Sequence, residues 1–151
     1  MRAVIQRVHH AEITIDHEEK RQIKKGLVVF LGVLKGDTEN QSAFLADKIC
    51  NLRIFEDDNE KMNLSLKDIS GEILIVSNFT LATDCEHGRR PSFDLSAPFA
   101  EAKALYEHFV EAVRTQNIAN VQTGEFAAHM DVDVSNNGPV TIIIDTEKIG
   151  K

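Results

Sequence analysis

The chain has 151 residues, 42% hydrophobic and 27% charged, the balance of an ordinary soluble domain with a core of its own. Its net charge of −7 argues against a protein that coats nucleic acid non-specifically, although a small basic patch could still hold one RNA end. The longest apolar run, residues 27–34, falls far short of the roughly 20 residues that span a bilayer.

The start, MRAVIQRVHH, leaves no room for a signal-peptide core, so a cytoplasmic protein is expected. Residues 2–8 and 11–16 alternate apolar with polar, as half-buried strands do, and HEEKR (17–21) reads as a solvated hairpin connection. KGLVVFLGVL (25–34) is apolar on both faces and is therefore a central strand. Thr38 followed by Gln41 fits a capping box, opening a helix that carries Leu45, Ile49 and Leu52. DDNEKMN (57–63) is turn-like, and 71–83 begins as an apolar strand that turns polar at Ser77-Asn78. A loop, 83–92, holds Arg89 and Arg90. Pro98 then suits a helix first turn, and Phe99, Ala102, Tyr106, Phe109 and Val113 mark one face of a helix over 97–115. Residues 130–135 and 140–145 are strands flanking Asn136-Asn137-Gly138-Pro139. The expected fold is one α+β domain, with a compact, largely antiparallel barrel-like sheet and two packed helices.

Familiar catalytic signatures are missing: the sequence has no G-x-G-x-x-G, P-loop, G-x-S-x-G or H-E-x-x-H. The two cysteines, Cys50 and Cys85, are not in C-x-x-C spacing and read as incidental thiols. Six scattered histidines show no metal-ligand spacing, so neither metal nor cofactor is expected. Two segments break local rules. In Ser77-Asn78-Phe79-Thr80-Leu81, an apolar strand ends in hydroxyl and amide groups that could line a pocket, or merely satisfy a strand terminus. Thr80 has no base at a fixed spacing, so a triad is unsupported. Asn136-Asn137-Gly138-Pro139 could be a plain turn, or a cis Gly-Pro whose carbonyls face one side and accept from an ammonium group.

The start MRAVIQRV and the segments NLRIFEDDNEKMNLS (51–65), SNFTLATDCEHGRRPSF (77–93), TGEFAAHM (123–130) and NNGPVTIIID (136–145) together resemble D-aminoacyl-tRNA deacylases. They run in the family's order across nearly the whole chain and include its motifs S-Q-x-T-L and N-x-G-P-x-T. The resemblance implies a homodimeric hydrolase of D-aminoacyl-tRNA, in which a cis Gly138-Pro139 enters the partner's active site and rejects L-amino acids. It implies that Ser77, Thr80 and Leu81 line the ester pocket beside Asn78 and Phe79. Phe126, Ala127 and Met130 would shape the place of the terminal adenosine, with Asn136 part of the Gly-Pro motif. Asn78 stands where the family has glutamine, so its amide reaches less far. The resemblance favours substrate assistance by the ribose 2′-OH over Thr80 as nucleophile. For tRNA, Arg89, Arg90 and Arg7 are the expected contacts. Two alternatives stay open: a small-molecule ester or N-acyl hydrolase using Thr80, and a non-catalytic module that binds the aminoacyl-tRNA end.

Overall fold

The computed structural model describes residues 1–149. Its elements are β1 (Arg2–Ile15), β2 (Glu19–Ile23), β3 (Gly26–Gly32), α1 (Glu39–Cys50), β4 (Phe55–Glu56), β5 (Met62–Leu64), β6 (Glu72–Ser77), a 3-10 turn (Phe79–Ala82), α2 (Phe99–Arg114), β7 (Asn120–Thr123) and β8 (Met130–Asp145). The two expected N-terminal strands are one strand. Along one edge β1 pairs with β8; along the other its first half pairs with β3 and its second half with β2. The sheet is α+β in setting but mixed in direction, because β3–β6 and β6–β7 are parallel. The largely antiparallel expectation is corrected there, since helical crossovers carry the chain from β3 to β6 and from β6 to β7 and bring parallel neighbours together. Arg21 on β2 nearly closes the barrel by donating through Nη1 to the Thr123 carbonyl at the end of β7, at 2.7 Å.

The alternation of β3 explains why its sequence is apolar throughout. Leu27, Val29 and Leu31 join the core under the helices, with Leu45, Ile49, Tyr106 and Phe109. Val28 instead faces a second core inside the barrel with Leu74 and Val76, and Phe30 packs against it. Gln41 Oε1 accepts the Thr38 N–H at 2.9 Å, completing the expected capping box of α1. Pro98 lies one place earlier than expected, as the N-cap of α2. Tyr106 on α2 is buried and donates its hydroxyl to the Ile75 carbonyl at 3.0 Å, fixing the helix against β6. Burial pushes its phenol well above the usual tyrosine range. Cys50 is buried, and burial raises its thiol to about 11, so it stays protonated and inert at neutral pH.

Two glycines decide how the site-bearing segments lie. At Gly26 a Cβ would stand 1.8 Å from the Glu72 carbonyl oxygen, so only glycine lets β3 and β6 meet at their starts. At Gly32 a Cβ would stand 2.8 Å from Leu81 Cβ and 3.1 Å from the Asn78 carbonyl. The bare backbone there allows the 3-10 turn to cross the end of β3.

Candidate active site

Where β6 leaves the sheet, a cavity of about 570 Å³ opens between the two cores. Phe30 and Val76, paired neighbours on β3 and β6, contribute from the sheet. Phe99 and Ala102 contribute from α2, and Phe126 to Met130 from the segment before β8 and its first residue. Phe126 meets Phe99 edge-on at 5.2 Å and Tyr106 at 5.8 Å, so aromatic packing sets its ring. Ala127 adopts φ 64°, a left-handed turn that sends the chain back toward β8. The polar groups on the wall are few: Ser77, Asn78, Ser96 and His129. Among the described residues, no carboxylate, lysine or arginine lines it. Such a space suits a flat or apolar group held by a few directed hydrogen bonds.

The Ser77–Leu81 segment is held by its own bonds. The Asn78 N–H donates to the Leu31 carbonyl at 2.8 Å, continuing the ladder one step past β6. Its side-chain Oδ1 then accepts the Thr80 N–H at 3.2 Å and the Thr80 hydroxyl at 2.5 Å. Asn78 thus caps the 3-10 turn, a short-range contact that suits the shorter amide. The Thr80 proton rests on an amide oxygen, which is no base. Phe79, the first residue of the turn, has an N–H that the turn itself cannot satisfy.

Ser77, Asn78, Phe79, Phe126, Ala127 and Met130 are brought together on the wall of this cavity. Thr80 and Leu81 sit on the same turn but outside the lining; Thr80 is exposed, and the Leu81 carbonyl accepts from Arg2 Nη1 at 3.1 Å. Asn136, Gly138 and Pro139 lie apart from this cavity. In the pairing of β1 with β8, Gln6 opposes Thr141 and Val8 opposes Asn136, so residues 137–140 bulge out opposite Arg7 alone. The bulge carries the Gly138–Pro139 peptide bond, which is cis, and both residues are exposed. Asn136 closes its base, accepting the Val140 N–H on Oδ1 at 3.1 Å.

Arg7 is corrected as a nucleic-acid contact. It is 5% exposed, donates to the Asn137 carbonyl at 3.1 Å and the Ile54 carbonyl at 2.8 Å, and has Glu56 at 3.7 Å. Its guanidinium is spent on holding the bulge. Arg89 and Arg90 are exposed on a loop closed at its base by paired Asp84 and Ser92, and neither makes an ion pair among the described residues. Phe93, just after that loop, packs edge-on against Phe79 at 5.1 Å and so ties it to the cavity mouth.

Sequence reasoning missed Phe30, Ser96, Phe99, Ala102, His129 and Val132 on the wall. Phe99 stands on the apolar stripe of α2 and yet is 66% exposed with its ring against Phe126, which the sequence pattern alone does not reveal. Among the described residues, no helix is long and apolar enough to cross a membrane.

A mixed, nearly closed barrel with a mostly apolar cavity at a strand exit and a separate projecting Gly-Pro bulge defines a class, and the chain's relatives define it further. Residues 4–145 match the family model described as D-Tyr-tRNA(Tyr) deacylase. The chain is 54% identical over 149 residues to a D-aminoacyl-tRNA deacylase of Thermotoga petrophila, covering 99% of each. It is 52% identical to the enzyme of the same name from Clostridioides difficile, covering 98% of this chain and 99% of that one. Among solved structures, one titled c-Myc DNA Unwinding Element Binding Protein superimposes with a TM-score of 0.89 at 39% identity, covering 96% of this chain and 98% of that one. A probable eukaryotic D-amino acid tRNA deacylase shares the fold, with a TM-score of 0.82 at 17% identity over 95% and 97% of the two chains. The chain belongs to the D-Tyr-tRNA(Tyr) deacylase family and is, with it, a hydrolase.

Proposed function

We propose that this protein hydrolyses the ester between a D-amino acid and the 3′ end of tRNA, as a cytoplasmic homodimer. The observation that carries the reading is the cavity bounded by Ser77–Phe79 and Phe126–Met130, within a full-length family match. Phe126, Ala127 and Met130 accommodate the terminal adenosine against apolar and aromatic surface. Ser77 and the Phe79 N–H face the ester, where a donor to the developing oxyanion is needed. Thr80 is not the nucleophile: an alcohol needs an adjacent base, and its hydroxyl donates to the Asn78 amide. A water assisted by the ribose 2′-OH supplies the attack. The same geometry weighs against a small-molecule hydrolase built on Thr80.

The exposed Gly138–Pro139 bulge supplies backbone carbonyls to the cavity of a second copy. There they accept from the substrate ammonium and form a wall against an L side chain. A glycyl ester has no side chain to exclude, so the same site admits it. Deacylation of matched D- and L-aminoacyl-tRNA by the purified protein tests the reading. A large preference for the D ester is expected, and equal rates would refute chiral selection.

Thr80→Ala is expected to lower the rate by no more than about tenfold, the scale of one lost orienting hydrogen bond of roughly 1 kcal/mol. Single-turnover deacylation measures it, and an acyl group trapped on Thr80 would contradict the assignment. For tRNA, the exposed Arg89 and Arg90 are the phosphate contacts. Replacing both with alanine should weaken binding and reduce the slope of log K against log salt by about one per contact. An unchanged slope would move the contact elsewhere.

A further inference from the structure

We propose that His17, His129 and Asp131 form a site for one divalent transition-metal ion of the zinc class, set on the rim of the cavity. The residues come from separate parts of the chain: the β1–β2 turn, the residue before β8, and β8 itself. One ligand atom from each lies within 4.8 Å of the other two. His17 Nδ1 is 3.7 Å from Asp131 Oδ2, and His129 Nε2 is 3.4 Å from Asp131 Oδ1. Three atoms so spaced share a centre no more than about 2.8 Å from each, so an adjustment of under roughly 1 Å gives zinc bond lengths of about 2.0–2.2 Å.

The backbone is committed to this arrangement. Asp16 and His17 are the central residues of a tight turn closed by the Glu18 N–H on the Ile15 carbonyl at 3.0 Å, with φ of 48° and 65°. Glycine is the favoured second occupant of such a hairpin turn. A histidine there occupies a left-handed conformation that L side chains other than Asn, Asp and His seldom adopt. The turn is also bonded to the opposite segment, for the Asp16 N–H donates to the His129 carbonyl at 2.9 Å and Asp16 Oδ1 accepts the His129 N–H at 3.1 Å. The two rings consequently lie with centroids 4.9 Å apart.

A surface ion pair would need one imidazole for Asp131. Here each carboxylate oxygen faces a different one. Two imidazole nitrogens and a carboxylate oxygen are the donors that zinc-class ions take, and three protein ligands leave a position for water. Because His129 also lines the cavity, a bound ion would hold the segment before β8 in place at the cavity mouth.

Titration of the full chain with Zn²⁺ alone, in competition with a chromogenic chelator, tests the site, and visible absorption of bound Co²⁺ reports ligand type. The expected result is one ion per chain with an intense tetrahedral Co²⁺ spectrum. His17→Asn, which keeps a residue tolerant of the turn conformation, and Asp131→Asn should each weaken binding at least tenfold. His108→Ala, which removes an imidazole away from the cluster, should bind as the parent does. Thermal melts without metal establish that each variant is folded. Absence of saturable binding, or an affinity that His17→Asn and Asp131→Asn leave unchanged, would overturn the assignment.

Discussion

Gly26→Ala is expected to destabilise the protein by about 3 kcal/mol or more, at or beyond the upper end of ordinary overpacking. The added methyl would lie 1.8 Å from the Glu72 carbonyl oxygen and under 3 Å from the Glu72 carbonyl carbon and nitrogen. All three are backbone atoms, so no side chain can rotate away. Glu72 is held as well: its N–H donates to the Lys25 carbonyl at 3.1 Å, and its Oε2 accepts the Lys24 N–H at 2.8 Å and the Asn120 amide at 3.1 Å. The β3–β6 ladder would have to part at its first rung. Against a typical stability of about 5–15 kcal/mol this is a large fraction. For a domain of this size it corresponds to a fall in Tm of roughly 6–12 °C. Urea unfolding measures the loss, and a change below about 1 kcal/mol would mean that β3 and β6 separate at this point without cost.

Patterns with strong local causes were readable from sequence alone. The period-two alternation of β1, the doubly apolar β3, the Thr38–Gln41 box and the apolar stripe of α2 each record a rule satisfied within a few residues. Strand direction was not readable in this way, because parallel pairing of β3, β6 and β7 depends on how the helices cross. The strand β7 escaped notice because its four residues, Asn120 to Thr123, are all half-buried and carry no alternation. The hairpin connection expected at 17–21 shrank to a tight turn at Asp16-His17, because charged Glu19 and Lys20 can occupy an edge strand.

The site was legible through motifs more than through chemistry. Residue types near Ser77 allowed either a pocket or a plain strand end, and only tertiary packing of Phe30, Phe99 and Phe126 makes the space. Arg7 shows the opposite failure. An arginine in a strand looks like a surface cation, but β8 residues 137–140 opposite it pair with no β1 residue, and its fork takes up the Asn137 carbonyl of that bulge and the Ile54 carbonyl of a loop. His17 and His129 are separated by most of the chain, so no spacing rule could have joined them.

Gly138→Ala is expected to lower deacylation of D-aminoacyl-tRNA by at least about 100-fold, the rate equivalent of roughly 3 kcal/mol, while the chain remains folded. Gly138 has φ 131°, a region that L residues rarely enter and that costs about 1–3 kcal/mol when they do. An added Cβ would also lie 2.9 Å from the Val140 nitrogen and from its Cγ2, and 3.2 Å from Arg7 Nη2. Val140 N–H is bonded to Asn136, and Arg7 is buried and bonded to Asn137, so neither yields cheaply. The exposed bulge is the part free to move. Gly138 and Pro139 at its tip belong to neither hydrophobic core, so the stability loss should stay near the 1–3 kcal/mol of the backbone cost. The carbonyls proposed to hold the ammonium would then miss their positions, where a displacement of about 1 Å can cost two orders of magnitude in rate. The L ester, already excluded, should lose little, so the D-to-L ratio should collapse along with the D rate. Parallel single-turnover assays on the two esters, with urea unfolding of the variant, separate this outcome from simple destabilisation. A folded Gly138→Ala protein that kept both its D rate and its D-to-L ratio would remove the bulge from the active site.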